Sequence, residues 1–175
     1  MASDPALPEP TEAPGFHEAT PATDYAGAIY GSIIATAFVG ALRAAHVSAR
    51  DMTLEVAASM LVFWLAHTWA AVAGERIHLG HRLSVHRVRT LARMEWPIVE
   101  AGFLPVVALL LGWIGVIDAD HAATLALVIG IVQLFAWGFV LGRRVYAGWG
   151  GACLSALGNG LIGVALVGLE IAVTH

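Results

Sequence analysis

The feature that most constrains the fold is a series of five apolar stretches, each of about 20 residues. A helix of about 20 apolar residues crosses the roughly 30 Å of bilayer hydrocarbon, where backbone groups have no water to bond. With 58% hydrophobic and 13% charged residues, the chain is neither a soluble globule nor disordered throughout. The sequence therefore predicts an all-α integral membrane bundle of five transmembrane helices. They are expected at about residues 26–46, 53–74, 97–117, 121–142 and 151–173.

The first part of the chain has a different composition. Residues 1–24 contain five of the seven prolines and five of the 13 acids, and such a sequence cannot bury a core. We predict a disordered cytoplasmic tail over 1–24 and one transmembrane domain over 25–175. No basic residue precedes Arg43, so the first stretch lacks the charged start of a signal peptide. It is expected to act as its own insertion signal and to remain in the mature protein.

Arginine indicates the orientation, because all nine basic residues are arginine. One side of the predicted bundle has only two, Arg43 and Arg50. The positive-inside rule then predicts a bacterial cytoplasmic membrane with the N-terminus in the cytoplasm and the C-terminus, His175, outside. The seven arginines of the other side are Arg76, Arg82, Arg87, Arg89, Arg93, Arg143 and Arg144.

The linker between the second and third stretches predicts a short amphipathic interfacial helix at about 77–94. Arg82, His86, Arg89 and Arg93 recur at helical spacing and share one face. Arg82, Arg89 and Arg93 are therefore candidates to bind anionic lipid headgroups, by general attraction or, less favoured, at a phosphoinositide- or cardiolipin-type site. The histidines of this linker do not converge on one side of a helix, so no metal site is predicted.

Small residues indicate where helices touch, because helices in lipid associate by close packing. One ridge repeats at every fourth position of the first stretch, and a second follows one line of the fifth stretch. Both are expected to be buried, against other helices of the chain, a second copy or another membrane protein. The ridges comprise Ala28, Ser32, Thr36, Gly40 and Ala44, and Ala152, Ala156, Asn159, Gly163 and Glu170.

Polar residues within the stretches fall at similar depths, as estimated from a rise of about 1.5 Å per residue. His67 and Asn159 lie roughly 5 Å to the cytoplasmic side of the midplane, Thr36 and Gln133 lie near it, and Glu100 lies about 10 Å inward. A histidine beside a glutamate is typical of a proton relay. The favoured alternative is that these groups are structural hydrogen bonds between helices. Pro105 is expected to kink the third helix and to free a backbone carbonyl.

No sequence signature of an enzyme, a cofactor site or nucleic-acid binding is present. We therefore predict a multi-pass membrane protein that is not an enzyme and binds no cofactor. A small proton- or ion-linked channel or transporter that uses His67 and Glu100 is the first concrete function. A membrane scaffold or interaction subunit, without transport or catalysis of its own, is the alternative.

Four segments, FWLAHTWA from Phe63, EWPIVEAG from Glu95, LFAWGFVLGRR from Leu134 and the closing GLEIAVTH, carry a resemblance. Over about residues 25–175 the chain resembles a family of small integral membrane proteins of high-GC actinobacteria. The use of arginine for every basic residue and the richness in alanine agree with such a genome. The family has no known activity, so the resemblance implies a bacterial multi-pass membrane protein and draws attention to His67, Glu100 and the Arg143–Arg144 pair.

Overall fold

A computed structural model describes residues 22–146 and 148–174. This part of the chain is helical and contains no strand, which confirms the prediction of an all-α membrane bundle. The predicted tail lies almost entirely outside the described residues, and the first helix begins at Ala22. The helices are α1 (Ala22–Ala44), α2 (Ala49–Leu79), α3 (Val85–Met94), α4 (Pro97–Trp113), α5 (Ala119–Val145) and α6 (Trp149–Thr174).

Four of these helices, α1, α2, α5 and α6, are long and apolar enough to cross a bilayer separately. The fifth candidate combines α3 and α4, which meet at a bend of 46°. The 17 residues of α4 extend only about 25 Å, less than the hydrocarbon thickness, so α4 alone is short for a crossing. The described part of the chain therefore has four full-length apolar helices and one broken one.

The predicted interfacial helix at 77–94 differs from the structure, because its first part belongs to other elements. The second helix continues to Leu79, where Gly80 adopts a left-handed φ of 69° and its N–H bonds to the carbonyl of Arg76. Ser84 then caps a new helix by accepting a hydrogen bond from the N–H of Arg87. This glycine stop and serine start leave Arg82 in the connection, outside α3.

Successive long helices are antiparallel, so the bundle has two ends. At one, Tyr25 contacts Trp137 and the guanidinium of Arg144 lies over its ring; we call this the basic end, and α3 also lies here. At the other, which we call the opposite end, a Cβ on Gly112 would lie close to Ala49 and Ala122. The seven arginines predicted to share a side all belong to α2's last turns, the α2–α3 connection, α3 or α5's last turn.

The small-residue ridge of α1 is buried at Ala28, Ser32, Thr36 and Gly40, which confirms the prediction for these positions. Thr36 meets Gly130 of α5 so closely that a Cβ there would lie 2.0 Å from the threonine Oγ1. Close approach of this kind requires glycine and brings the two backbones together. The first helix therefore forms the packed centre of the bundle.

The second ridge packs against α5 from Ala152 to Gly163. A Cβ on Gly138 would lie 2.7 Å from the carbonyl oxygen of Ser155, and one on Gly142 would lie 2.6 Å from the Cα of Ala152. Ala152, Ala156 and Gly163 are buried, as predicted, whereas the side chain of Glu170 lies outside the described part. Matched small residues on both helices therefore make this pair a close-packed unit.

Candidate functional site

Pro105 interrupts the hydrogen bonds of α4 in the middle of the bundle. It has no N–H, so the carbonyl of Ala101, four residues earlier, lacks its helical donor. Gln133 of α5 supplies a replacement: its Nε2 donates to the oxygen of Ala101 at 3.1 Å. The predicted free carbonyl is thus satisfied by a side chain of another helix.

This bond fixes the orientation of the Gln133 amide. A carbonyl only accepts, so the NH2 group must face Ala101 and Oε1 must point the other way. Oε1 is buried and has no hydrogen-bond partner among the described residues. A buried acceptor of this kind costs on the order of 1–3 kcal/mol when it stays unpaired. The site therefore favours any hydrogen-bond donor that reaches this oxygen.

Gln133 borders a cavity of about 380 Å³ between α1, α4 and α5 at the basic end. Glu100 borders the same cavity from the first turn of α4. Its carboxylate is exposed on the surface of the bundle and, among the described residues, makes no ion pair or hydrogen bond. The cavity is thus bordered by one carboxylate residue and by a glutamine whose amide oxygen is buried and unpaired among the described residues. It is lined by Tyr25, Ala28, Pro97, Glu100, Ala101, Gln133 and Trp137.

Two aromatic residues of this cavity, Tyr25 and Trp137, are absent from the candidates chosen by sequence. Their rings meet edge to face with centroids 6.0 Å apart. Trp137 lies four residues after Gln133 in α5, and that spacing places two side chains on one face of a helix. This four-residue spacing is the sequence signal from which Trp137 could have been found. Tyr25 offers no such signal.

His67 has a different environment. Its Nδ1 lies 3.0 Å from the carbonyl oxygen of Phe63, and its ring packs on Tyr30 with centroids 4.8 Å apart. Since a carbonyl oxygen only accepts, Nδ1–H is the donor of this hydrogen bond, and Nε2 takes no part in it. Within the described residues, no ion pair joins His67 to Glu100. The structure therefore does not bring the two proposed relay residues together.

Thr36 and Asn159 bond to their own helices. The Thr36 hydroxyl donates to the oxygen of Ser32 at 2.7 Å, and Nδ2 of Asn159 donates to the oxygen of Ser155 at 3.1 Å. Side chains of this length reach the carbonyl one turn back, so equal depth does not make them converge. Of the five predicted polar residues, Glu100 and Gln133 border one and the same cavity.

The arginines of α3 divide into two groups. Arg87 forms an ion pair with Glu75 of α2, with Nε and Oε1 2.7 Å apart. Arg89 and Arg93 instead border a cavity of about 200 Å³ with Trp64, Ala92 and Trp96. Arg82, the third predicted headgroup ligand, is exposed in the α2–α3 connection.

The opposite end has a charged cap. Asp118 begins α5 and accepts a hydrogen bond from the backbone N–H of His121 at 2.9 Å, and it also contacts the His121 ring. The backbone bond, above all, holds the pKa of Asp118 below its ordinary value. Among the described residues, no three His, Cys, Asp or Glu side chains come together as a metal-binding set.

The chain matches no known family, no curated protein and no solved structure. The resemblance to an actinobacterial membrane family therefore stays a prediction. The architecture defines the class of protein, a membrane-spanning helical bundle.

Proposed function

We propose that the protein is a small transporter or channel of the bacterial cytoplasmic membrane, and that the cavity bordered by Glu100 and Gln133 is its proton- or ion-binding site. The proposal retains the predicted topology, with the N-terminus and the basic end in the cytoplasm, and it includes no catalysis. It replaces His67 by Gln133 as the partner of Glu100.

One observation carries the proposal: Glu100, whose carboxylate has no partner among the described residues, and Gln133, whose buried amide oxygen has no donor among them, border one cavity. Ionisable residues inside membrane-spanning segments are costly and usually serve an ion path or a helix contact. The carboxylate of Glu100 makes no hydrogen bond or ion pair within the described part of the chain, so a structural helix contact does not account for it.

The two groups would have different roles. Glu100 supplies the negative charge that attracts a cation or takes up a proton. Gln133 supplies a neutral oxygen ligand, which remains an acceptor whatever the charge on Glu100 because Ala101 fixes its amide. The rest of the described lining is mainly apolar and aromatic, with the Tyr25 hydroxyl and the Trp137 indole N–H as its other polar side-chain groups, which favours a small cation over a large polar solute.

The test is cation and proton flux into proteoliposomes that contain the full chain. We expect Glu100→Gln to reduce flux by about tenfold or more, because the substitution removes the one charged side chain among the described residues that border the cavity. Glu55→Gln is the matched control, since Glu55 is exposed in the first part of α2 near the opposite end. Equal flux in the wild type and Glu100→Gln would refute the proposal.

One observation favours the scaffold alternative. An almost wholly apolar groove of about 210 Å³ lies between α1 and α6, bordered by Gly40, Ala41, Leu166 and Leu169 among others. A partner helix with a small-residue face would fit such a groove. Cys153 on α6 is exposed and provides a crosslinking site. A strictly monomeric protein in mild detergent, without Cys153 crosslinks or a co-purifying protein, would count against a scaffold.

A further inference from the structure

The short helix α3 is fixed against α2 by two contacts. Arg87 pairs with Glu75, and the indole Nε1 of Trp64 donates to the carbonyl oxygen of Ala92 at 2.8 Å. That carbonyl belongs to the last turn of α3, where carbonyls have no helical donor. Trp64 therefore completes the end of α3, and the 46° bend then sets its direction relative to α4.

Two arginines remain available on this fixed helix. Arg89 and Arg93 are four residues apart, so they lie on the same side of α3, and both are exposed. Within the part of the chain that the structure describes, neither forms an ion pair, in contrast to Arg87. Two adjacent guanidinium groups without carboxylates form a strong attractor for a phosphate, which each binds through paired N–H donors.

The surface beside these arginines continues into an apolar groove. Trp96 borders both the cavity of Arg89 and Arg93 and a second cavity of about 280 Å³. The second cavity also contacts Val99 and Phe103 of α4, and Phe103 is 65% exposed. An almost wholly apolar recess bordered by two arginine side chains thus adjoins a groove along a membrane helix. This is the arrangement that accepts a phosphate together with an acyl chain.

We propose that Arg89 and Arg93 bind the phosphate of a single anionic glycerophospholipid in the leaflet at the basic end, with an acyl chain along Trp96 and Phe103. The arginine pair attracts a headgroup of net negative charge and repels the ammonium of a zwitterionic one. Glu100 also borders the second cavity, so its charge keeps the phosphate at the arginines. The site does not depend on whether the protein transports an ion.

The test measures quenching of tryptophan fluorescence by phospholipids brominated on their acyl chains. The purified full chain is placed in phosphatidylcholine vesicles, and brominated phosphatidylglycerol or brominated phosphatidylcholine is added. We expect several-fold stronger quenching by phosphatidylglycerol at low mole fraction, with saturation. Trp96→Phe should remove a large part of this selective component, because Trp96 borders both cavities.

Arg89→Gln/Arg93→Gln should abolish the preference for phosphatidylglycerol, and each single substitution should weaken it. Neither side chain makes an ion pair in the described bundle, so these changes remove no such contact from the fold; the unfolding temperature checks this. The matched control is Arg43→Gln/Arg50→Gln at the opposite end, which should retain the preference. Equal quenching by both lipids, or an equal loss in the control, would overturn the proposal. Inorganic phosphate that competes as well as phosphatidylglycerol would also overturn it, since the acyl chain would then contribute nothing.

Discussion

Two positions of α5, three residues apart, have opposite surroundings. Gly130 meets Thr36 of α1 so closely that no Cβ fits between them, whereas Gln133 borders a cavity. At the first position the hydroxyl of Thr36 is satisfied by its own helix and nothing polar is left over. At the second, Gln133 serves a neighbouring helix and keeps an unpaired oxygen. The comparison shows two kinds of polar side chain between membrane helices. Thr36 has its hydroxyl paired within its own helix, whereas Gln133 keeps one oxygen unpaired among the described residues.

The largest effect is expected at the close contact between Gly130 and Thr36. Gly130→Ala places a Cβ against the Oγ1 of Thr36, and we expect a loss of about 1–3 kcal/mol in the free energy of unfolding. Unfolding in mixed detergent and SDS micelles measures it. Gly158→Ala is the matched control, because nothing lies within 4 Å of its added Cβ. Thr36→Ala combined with Gly130→Ala should recover part of the loss, and a loss no larger than that of the control would contradict the close contact.

The next effect concerns Gln133 and Pro105. Gln133→Leu leaves the carbonyl of Ala101 without a donor, and we expect a loss on the order of 1 kcal/mol. Pro105→Ala restores a backbone N–H for that carbonyl, so Gln133→Leu should cost less in this background. A double-mutant cycle of unfolding free energies measures the coupling. Additive effects would show that Gln133 does not substitute for the helical donor.

A smaller effect is expected at His67, which takes no part in the contact between Gly130 and Thr36 and is not among the described residues that line the cavity of Glu100. We expect His67→Ala to leave flux within about twofold of the wild type, because its ring packs on Tyr30 and makes no ion pair with Glu100. The proteoliposome assay that tests Glu100→Gln measures it, with Glu100→Gln as the positive control. A loss as large as that of Glu100→Gln would restore the predicted relay between the two residues.

The elements that depend on one helix at a time could be predicted from the sequence. The length of the apolar stretches predicts the long helices, and the four-residue repeat predicts the buried face with Ala28 and Thr36. Pro105 predicts a backbone carbonyl without its helical donor. Each follows from helical periodicity and from the chemistry of a single residue.

The site required more than that. Depth along a helix is one coordinate, and the rotation of the helix about its axis is another that depends on its neighbours. His67 and Glu100 fall at comparable estimated depths, yet His67 faces Tyr30 while Glu100 borders the cavity. Gln133 was selected by depth, but its partner at Ala101 depends on how α5 packs against α4. Whether Arg87 or Arg89 is free to bind a headgroup likewise depends on which of them reaches Glu75, and the structure pairs Arg87 with it.

The smallest effect is expected at Asp118, a charged group outside the membrane, in contrast to Gly130 and Gln133 within it. The pKa of Asp118 is lowered in the folded protein, chiefly by the N–H of His121, so the folded state binds its proton less readily than the unfolded state. The stabilisation is therefore complete above the ordinary carboxyl pKa of about 4 and is lost as pH falls through the lower folded value. Thermal unfolding in a nonionic detergent between about pH 3 and pH 7 measures this dependence. Asp118→Asn keeps a capping oxygen that does not titrate, so its deficit against the wild type should shrink below about pH 4. Asp120→Asn, two residues later, is the control and should show no such convergence; a constant deficit of Asp118→Asn at every pH would exclude a charge-dependent cap.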